Sequence, residues 1–292
     1  MSTGATPPMI TRSRMHRLHW TGSVDAEGFR ASCEPLGLWY HAYYFDNDYE
    51  RRGEYNIGID IDAYGFPADM SGMRVLDIGT GAGWFSFFFE QQGAEVTTVD
   101  IRGHCDLDIF GRWEYPPVES EKPVPDRLGP AGEPIYHSPV SAPFWVMREL
   151  LGSRVEYLNG RTYEVRPELF GGRTFDLVFM GALLCHLRDP VGALMAARSV
   201  CSGRMIATTL FAPDHVDVGV PHMELPWTDL EQIAWWRPSR ECFRRWFRAA
   251  GFRTIDADRT VMLTTDKPRP HVTVPNAVGN PTAELLLGDA WI

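Results

Sequence analysis

The sequence has no long apolar segment. None of its hydrophobic runs approaches the ~20 residues that a membrane-spanning helix requires, so we expect no transmembrane span. The first 20 residues contain clustered arginine and histidine, but no apolar stretch of the kind found in secretory signal peptides. These absences predict a cytoplasmic protein.

Disulfide and metal-binding patterns are also missing. The five cysteines show neither C-x-x-C pairing nor the spacing of zinc ligands, and their number is odd. We therefore expect reduced, mostly buried thiols. His215, His222 and Glu224 have the chemistry of metal ligands, but they lie in an irregular segment without recognised ligand spacing. No metal site is predicted.

Positive charge is in short supply. The chain has 28 Lys and Arg against 38 Asp and Glu, a formal net charge of −10. This balance opposes binding to a phosphate backbone, so a nucleic-acid partner is disfavoured. The basic run from Arg244 to Arg248 is compatible with a nucleic-acid stripe, but its spacing is more typical of the solvated face of a helix.

The composition is that of a globular protein built around one core. Hydrophobic residues make up 44% of the 292 residues, enough for one large domain with additions. An N-terminal cap segment, residues 1–72, holds six of the ten tyrosines between Tyr40 and Tyr64. A core follows over 73–265, and then a proline-containing tail over 266–292, which we expect to run extended over the surface.

Within the core, apolar strand patterns alternate with helical patterns. This alternation predicts the α/β class, with a doubly wound, mostly parallel sheet and helices on both faces. The first strand, MRVLDI, ends at Ile78, and the second, AEVTTVD, ends at Asp100. Residues 104–143 interrupt the alternation with eight prolines, from Pro116 to Pro143, too many for regular structure. We interpret this insertion as a functional lid loop.

A glycine-rich turn joins the first strand to the following helix. Gly79, Gly81 and Gly83 remove side chains that would keep a ligand from the backbone, and glycine tolerates positive φ. Asp100 ends the next strand, where a carboxylate can accept hydrogen bonds from both hydroxyls of a ribose. The pattern indicates a nucleoside. A dinucleotide is disfavoured because Trp84 replaces the third glycine of the dinucleotide fingerprint.

The motif DIGTGAG, together with Asp100, resembles the S-adenosylmethionine-dependent methyltransferases with a Rossmann-like core. The resemblance implies that the turn holds the methionine and ribose parts of S-adenosylmethionine, and that the loop after the third strand lies at the adenine. The cofactor-binding residues it implies are Asp77, Gly79, Thr80, Gly81, Gly83, Trp84, Asp100, Ile101, Arg161, Thr162, Tyr163 and Gly181. The alternative is a degenerate nucleotide fold that binds nothing.

A narrower resemblance covers most of the chain. The segments LWYHAYYFDND, GALLCHLRDPVGAL and WWRPSRECFRRWFRAAGF are similar to the methyltransferase group that includes the bacterial tRNA wobble-uridine carboxymethyltransferases. Those enzymes have Tyr-His-Arg-Arg-Ser-Pro where this chain reads Cys-His-Leu-Arg-Asp-Pro, so that Leu187 replaces an arginine. A carboxylated cofactor would require a cationic partner. The change therefore favours unmodified S-adenosylmethionine and a small acceptor.

One histidine is a candidate for catalysis. His186 follows the fourth strand, at the carboxyl edge where ligands of open α/β sheets bind, and a histidine titrates near neutrality. We expect it to be the general base, and the alternative is a histidine that shapes the turn before Asp189. Tyr40, Tyr44 and His137 are candidates for contact with the acceptor. His137 lies in the proline-rich insertion, so it reaches the acceptor only if that loop folds over the sheet edge, and the favoured alternative is simple exposure at the surface. Tyr40 and Tyr44, with His41 and Tyr43 between them, predict a lid over the cofactor, a packing surface for an N-terminal helix, or a dimer interface.

The sequence therefore predicts a methyltransferase that acts on a small-molecule metabolite at an oxygen, nitrogen or activated carbon. Two alternatives stay open at this point. One is an enzyme that modifies the tRNA wobble uridine, and the other is a non-catalytic cofactor-binding module.

Overall fold

The computed structural model describes residues 15–37, 39–103, 106, 108, 122–128, 132, 134–137, 140–210, 219–225, 234–262, 264–265 and 282–289. A central sheet of seven strands, with helices on both faces, dominates this part of the chain. This confirms the predicted α/β class. No helix among these residues is long and apolar enough to cross a membrane.

The described part of the N-terminal segment contains one α-helix and three short strands. In chain order they are α1 Ala26–Cys33, β1 Tyr43–Tyr44, β2 Glu50–Arg51 and β3 Tyr55–Asn56. Strands β1 and β2 pair antiparallel. Two 3-10 helices, Ile57–Ile59 and Ile61–Tyr64, lead into the core.

The first half of the core follows the predicted alternation of strand and helix. Its elements are β4 Arg74–Ile78, α2 Trp84–Gln91, β5 Glu95–Asp100, β6 Lys122–Leu128, β7 Pro134–His137, α3 Ala142–Leu151 and β8 Glu156–Asn159. Helix α2 ends before Gly93, whose φ of 96° lies in the left-handed region that favours glycine.

The second half completes the sheet. It contains β9 Phe175–Met180, α4 Pro190–Val200, β10 Cys201–Leu210, β11 Met223–Glu224, β12 Arg237–Pro238, α5 Arg240–Ala249, β13 Thr254–Met262, β14 Thr264–Thr265 and β15 Thr282–Asp289. Side chains cap two of these helices: Asp189 accepts the N–H of Gly192 at the start of α4, and Ser239 accepts that of Cys242 at the start of α5.

The strand order in the sheet is β13-β15-β10-β9-β4-β5-β8. Strands β10, β9, β4, β5 and β8 are parallel to their neighbours in this set. The chain builds outward from β4 through β5 to β8 and then returns to β9 on the other side of β4. The switch point therefore lies between β4 and β9, and ligands of open α/β sheets bind at the carboxyl ends of the strands there.

Alternate residues of β4 face two separate cores. Val75 packs with the aromatic residues of α1, α2 and α3, whereas Leu76 packs with the apolar faces of α4 and α5. Both side chains are completely buried. A strand that is buried on both faces explains the uninterrupted apolar pattern in the sequence.

The tail contributes a strand to the sheet. Thr282–Asp289 pairs antiparallel with β10 on one side and with β13 on the other. The expectation that residues 266–292 run extended over the surface is therefore wrong for 282–289. The prolines lie before this strand, and the run AELLLGD that forms it contains none.

The insertion also contains regular structure. Strands β6 and β7 form an antiparallel hairpin although β6 contains Pro123 and Pro125, which corrects the expectation of an irregular loop. The side-chain amide of Asn159 accepts the N–H of Tyr136 at 2.7 Å and donates to its carbonyl at 3.0 Å. The amide thereby takes the place of a backbone partner and fixes β7 beside the edge strand β8.

Candidate functional site

The glycine turn begins where β4 ends at the carboxyl edge. The N–H of Gly79 donates to the carbonyl of Val99 in β5 at 2.8 Å, which holds the two strand ends together. The φ angles of Gly79, Gly81 and Gly83 are 79°, 53° and 89°. All three lie in the left-handed region, which residues other than glycine rarely adopt.

The three glycines differ in what surrounds them. A Cβ on Gly81 would meet only Val140, at an ordinary 3.7 Å, among the described atoms, so the backbone here stays accessible. A Cβ on Gly79 would lie 2.9 Å from Leu183. A Cβ on Gly83 would lie 2.5 Å from the ring of Phe144, so Gly83 lets α3 pack against the turn.

The carboxylate of Asp100 lies beside the turn, as the sequence predicts. Its Oδ2 accepts the N–H of Gly81 at 2.8 Å, and its Oδ1 accepts the N–H of Ile101 at 2.7 Å. A carboxylate has about four acceptor positions, and these two N–H donors from the described residues use only two of them. Burial raises the pKa of Asp100 to about 6, while the two N–H donors favour the ionised form.

Asp77 supports the turn from inside the protein. Its side chain is only 1% exposed, and its Oδ2 accepts the hydroxyl of Ser86 at 2.6 Å. The hydroxyls of Ser86 and Thr80 lie 2.9 Å apart, which links Asp77 to the turn through α2. Burial raises the pKa of Asp77 to about 6. We did not predict the role of Ser86, although a single hydroxyl in the apolar helix WFSFFFEQ is a usable signal.

The N-terminal aromatic segment lies against the turn and is buried. The hydroxyl of Tyr43 donates to the carbonyl of Ala82 at 2.5 Å. Tyr44, the predicted acceptor contact, packs in a separate buried cluster, and Tyr40 lies with its ring 5.0 Å from that of Tyr55. Since Tyr43 and Tyr44 are 0% and 5% exposed, packing of the segment onto the core describes them better than an open lid.

The carboxyl end of β9 forms a second wall of the switch point. Gly181 leaves this strand beside the ring of Phe179, and Ala182 has an unusual φ of 51°. The N–H of Ala182 donates to the hydroxyl of Thr208 at 2.7 Å, a contact that sequence reasoning missed. The hydroxyl fixes this bend and so determines where the following residues lie.

His186 ends a 3-10 helix, Leu184–His186, at the same edge. Its side chain is partly buried and hydrogen bonds to that of Cys185. Burial alone would raise the pKa of the Cys185 thiol, but the charge and hydrogen bond of His186 bring that pKa below its usual value. The Cys185 thiol also donates to the carbonyl of Ala182 at 3.3 Å.

The loop after β8 is joined to the start of the insertion. Arg161 pairs with Asp106 at 2.7 Å, and the hydroxyl of Tyr163 donates to Asp108 at 2.6 Å. Asp108 also accepts the N–H of Arg188 at 2.8 Å and pairs with its guanidinium. Thr162 is buried at the start of the 3-10 helix Thr162–Glu164. The sequence analysis assigned no role to these two aspartates. The pattern CDLD at the start of the insertion, with two acids in four residues, could have indicated one.

Two histidines that the sequence suggested as candidates, His137 and His215, lie wholly or partly outside the described residues. The backbone of His137 ends β7, but its side chain is outside the described part. His215 is likewise outside it. Among the residues the structure does describe, no group of three or more His, Cys, Asp or Glu side chains is arranged to hold a metal ion.

Residues 49–257 match the family described as a methyltransferase domain. The chain belongs to this methyltransferase family. The match covers more than half of the chain and confirms the predicted methyltransferase family.

Curated relatives carry the name tRNA U34 carboxymethyltransferase. The protein from Dichelobacter nodosus (strain VCS1703A) is 26% identical over 226 residues, 76% of this chain and 58% of its own length. The one from Pseudomonas savastanoi pv. phaseolicola (strain 1448A / Race 6) is 26% identical over 232 residues, 73% of this chain and 60% of its own length. This chain thus spans about three-fifths of the length of these relatives.

This chain resembles a solved structure over most of its length. The N-terminal domain of EvdMO1, crystallised in the presence of SAH and D-fucose, superposes with a TM-score of 0.57. The superposition covers 92% of this chain and 98% of that one, at 15% sequence identity. The likeness shows a common fold.

Proposed function

We propose that this protein transfers a methyl group from S-adenosylmethionine to an oxygen, nitrogen or activated carbon of a small molecule. The observation that carries the proposal is the Asp100 carboxylate beside the accessible backbone of Gly81. Two acceptor positions on Asp100 suit the two hydroxyls of a ribose. When bound, S-adenosylmethionine supplies a methyl group on a positively charged sulfur.

The residues of this chain have separate tasks in the proposal. Asp100 holds the ribose, and the backbone of Gly79 and Gly81 faces the rest of the cofactor, with Asp77 fixing the turn. Arg161 and Tyr163 close the adenine side through their ties to the insertion. Such a transfer depends mainly on alignment and exclusion of water, so few groups need to react.

His186 is the proposed base for an acceptor that must lose a proton. It lies at the carboxyl edge, at the end of a 3-10 helix that begins four residues after β9. Its contact with Cys185 would orient the ring. An imidazole at this edge can act as the proton acceptor for such a group.

A small acceptor is favoured by charge. The chain carries a net charge of −10, which repels a phosphate backbone. Leu187, which stands where the tRNA-modifying group has an arginine, is 7% exposed and packs in the core with α4. No cation is therefore available at this position for a carboxylated cofactor.

The central test is calorimetric titration with S-adenosylhomocysteine. We expect measurable binding by the wild-type protein and a loss of at least tenfold in affinity for Asp100→Ala. Asp176→Asn is a matched control, because Asp176 accepts the N–H of Arg74 at the opposite end of the sheet. Equal affinities for the wild type and Asp100→Ala would refute the proposed site.

The second candidate function is modification of the tRNA wobble uridine. Its support is the name of the curated relatives. Filter binding at graded salt separates the two, because a tRNA partner requires tight association that weakens steeply as salt increases. A third test, mass spectrometry with a deuterated methyl donor and candidate acceptors, distinguishes an enzyme from a non-catalytic module, which transfers no label.

A further inference from the structure

The N-terminal segment supplies two polar contacts to the glycine turn. Tyr43 donates its hydroxyl to the carbonyl of Ala82 at 2.5 Å, and His41 accepts the N–H of Trp84 on Nδ1 at 3.4 Å. Both side chains come from the stretch before residue 49, where the family match begins. The domain that defines the family therefore does not contain them.

These contacts satisfy a need that the turn creates. Helix α2 begins at Trp84, and its N-cap residue is Gly83, which has no side chain to accept the first free N–H groups of the helix. Gly83 cannot be replaced by a capping residue, because the ring of Phe144 occupies the space beside it. The imidazole of His41 takes the place of the missing cap.

The surroundings of both side chains favour these roles. His41 is 6% exposed, and burial lowers its pKa to about 3, so the ring stays neutral. The contact with the Trp84 N–H requires the tautomer that has its hydrogen on Nε2 and a lone pair on Nδ1. Tyr43 is completely buried between the rings of Trp39 and Phe45, and burial raises its pKa well above the usual value. The hydroxyl therefore remains a donor.

The two contacts are made to residues that closely follow Gly81, the residue that faces the proposed ligand. Ala82 follows Gly81 directly, and the N–H of Gly81 donates to Asp100. A shift in the carbonyl of Ala82 would therefore change the direction of the Gly81 N–H and the position of the Asp100 carboxylate. Alignment errors of this kind weaken ligand binding more than they weaken folding.

We infer that His41 and Tyr43 are positioning residues, which the N-terminal segment provides to hold the glycine turn in the geometry that binds the cofactor. The inference rests on the proposed function, since it concerns the same site. It assigns a functional role to a segment outside the family domain.

The test combines binding with a local structural readout on the full chain. Tyr43→Phe removes only the hydroxyl, and His41→Ala removes the acceptor. His41→Asn restores an acceptor near the position of Nδ1, so it should recover most of the lost affinity. We expect about tenfold weaker binding of S-adenosylhomocysteine for Tyr43→Phe and for His41→Ala, measured by calorimetry. Amide exchange of Trp84 should become faster in His41→Ala and return towards the wild-type rate in His41→Asn.

Tyr49→Phe is the control, because it removes a hydroxyl from another tyrosine of this region, whose ring packs against those of Trp20 and Phe29. Its affinity should stay within twofold of the wild type. Binding by Tyr43→Phe and by a folded His41→Ala at the wild-type level, together with unchanged Trp84 exchange in His41→Ala, would overturn the inference. A wild-type protein that does not bind S-adenosylhomocysteine would instead refute the proposed function itself.

Discussion

The hydroxyl of Ser86 donates to the carboxylate of Asp77 at 2.6 Å inside the protein, one turn into the helix that follows the glycine turn. Asp77 is 1% exposed and Ser86 is completely buried, so water cannot replace either partner. An acceptor that is buried without its donor costs more than an ordinary hydrogen bond contributes. The pair therefore makes the stability of the fold depend on the same residues that shape the candidate site.

Replacement of Ser86 by alanine should destabilise the protein by about 1–3 kcal/mol, because the buried Asp77 carboxylate loses one of its hydroxyl donors. Urea denaturation at pH 7 measures the change. Ser32→Ala is the control, since its hydroxyl donates to Gly28 in the partly exposed helix α1. That variant should differ from wild type by no more than about 0.5 kcal/mol. Equal losses for both variants would contradict the assigned role of Ser86.

The buried charge of Asp77 predicts how stability changes with pH. Burial raises its pKa from 3.8 to about 6 in the folded protein. Between these values the folded state binds more protons than the unfolded state, so the free energy of unfolding rises as pH falls from 7.5 to 5. Asp77→Asn removes this contribution but keeps an acceptor for Ser86.

The measurement compares wild type and Asp77→Asn by denaturation at both pH values. The stability of the wild type relative to the variant should increase by about 1 kcal/mol on going from pH 7.5 to pH 5. Asp100, whose pKa is also raised to about 6 by burial, keeps part of the pH dependence in the variant. Parallel curves for the two proteins would show that Asp77 does not titrate in this range.

The parts of the site that could be predicted are those that residues close together in the sequence determine. Three glycines at alternate positions require a special backbone, and an acid at the end of the next strand lies beside it in any parallel pair of this kind. The turn and Asp100 could therefore be placed in advance. Ser86, Thr208 and Asp108 act through contacts that the chain makes only when distant segments meet, and no local pattern specifies those.

Two segments show where proline misleads a prediction. Pro123 and Pro125 lie in β6, which pairs only with β7 among the described strands, and an edge position tolerates the missing donor. The prolines of the tail precede β15, and the strand itself contains none. In both segments, the number of prolines does not decide whether a strand forms. What matters is whether each proline lies outside the strand or at a position whose N–H is not needed for pairing.

Removal of residues 282–292 should destabilise the whole domain. Strand β15 pairs with β10 from Arg204 to Leu210 and with β13 from Thr254 to Met262, so its loss exposes two open strand edges. We expect aggregation, or a melting temperature lower by about 10 °C or more. Removal of residues 290–292 alone is the control, because it leaves the strand intact. A monomeric, thermally unchanged protein after the longer deletion would show that β15 adds nothing to the sheet.

The affinity for S-adenosylhomocysteine should depend on the ionisation of Asp100. Burial raises the pKa of this carboxyl group to about 6 in the protein without ligand, and hydroxyl donors from a ribose favour its ionised form. Affinity should therefore be constant from pH 7 to 8 and fall as pH decreases through 6. At pH 5 only about a tenth of the groups are ionised, which predicts roughly a tenfold loss.

Two variants separate this effect from a general response to acid. Asp100→Asn should bind weakly at every pH, because its amide offers one acceptor oxygen instead of two. Asp77→Asn should retain the dependence, since Asp77 is directed at Ser86 inside the protein and not at the ligand. A dependence that disappears in Asp77→Asn and survives in Asp100→Asn would move the titrating group to Asp77. The ribose would then need a partner other than the carboxylate that accepts the Gly81 N–H.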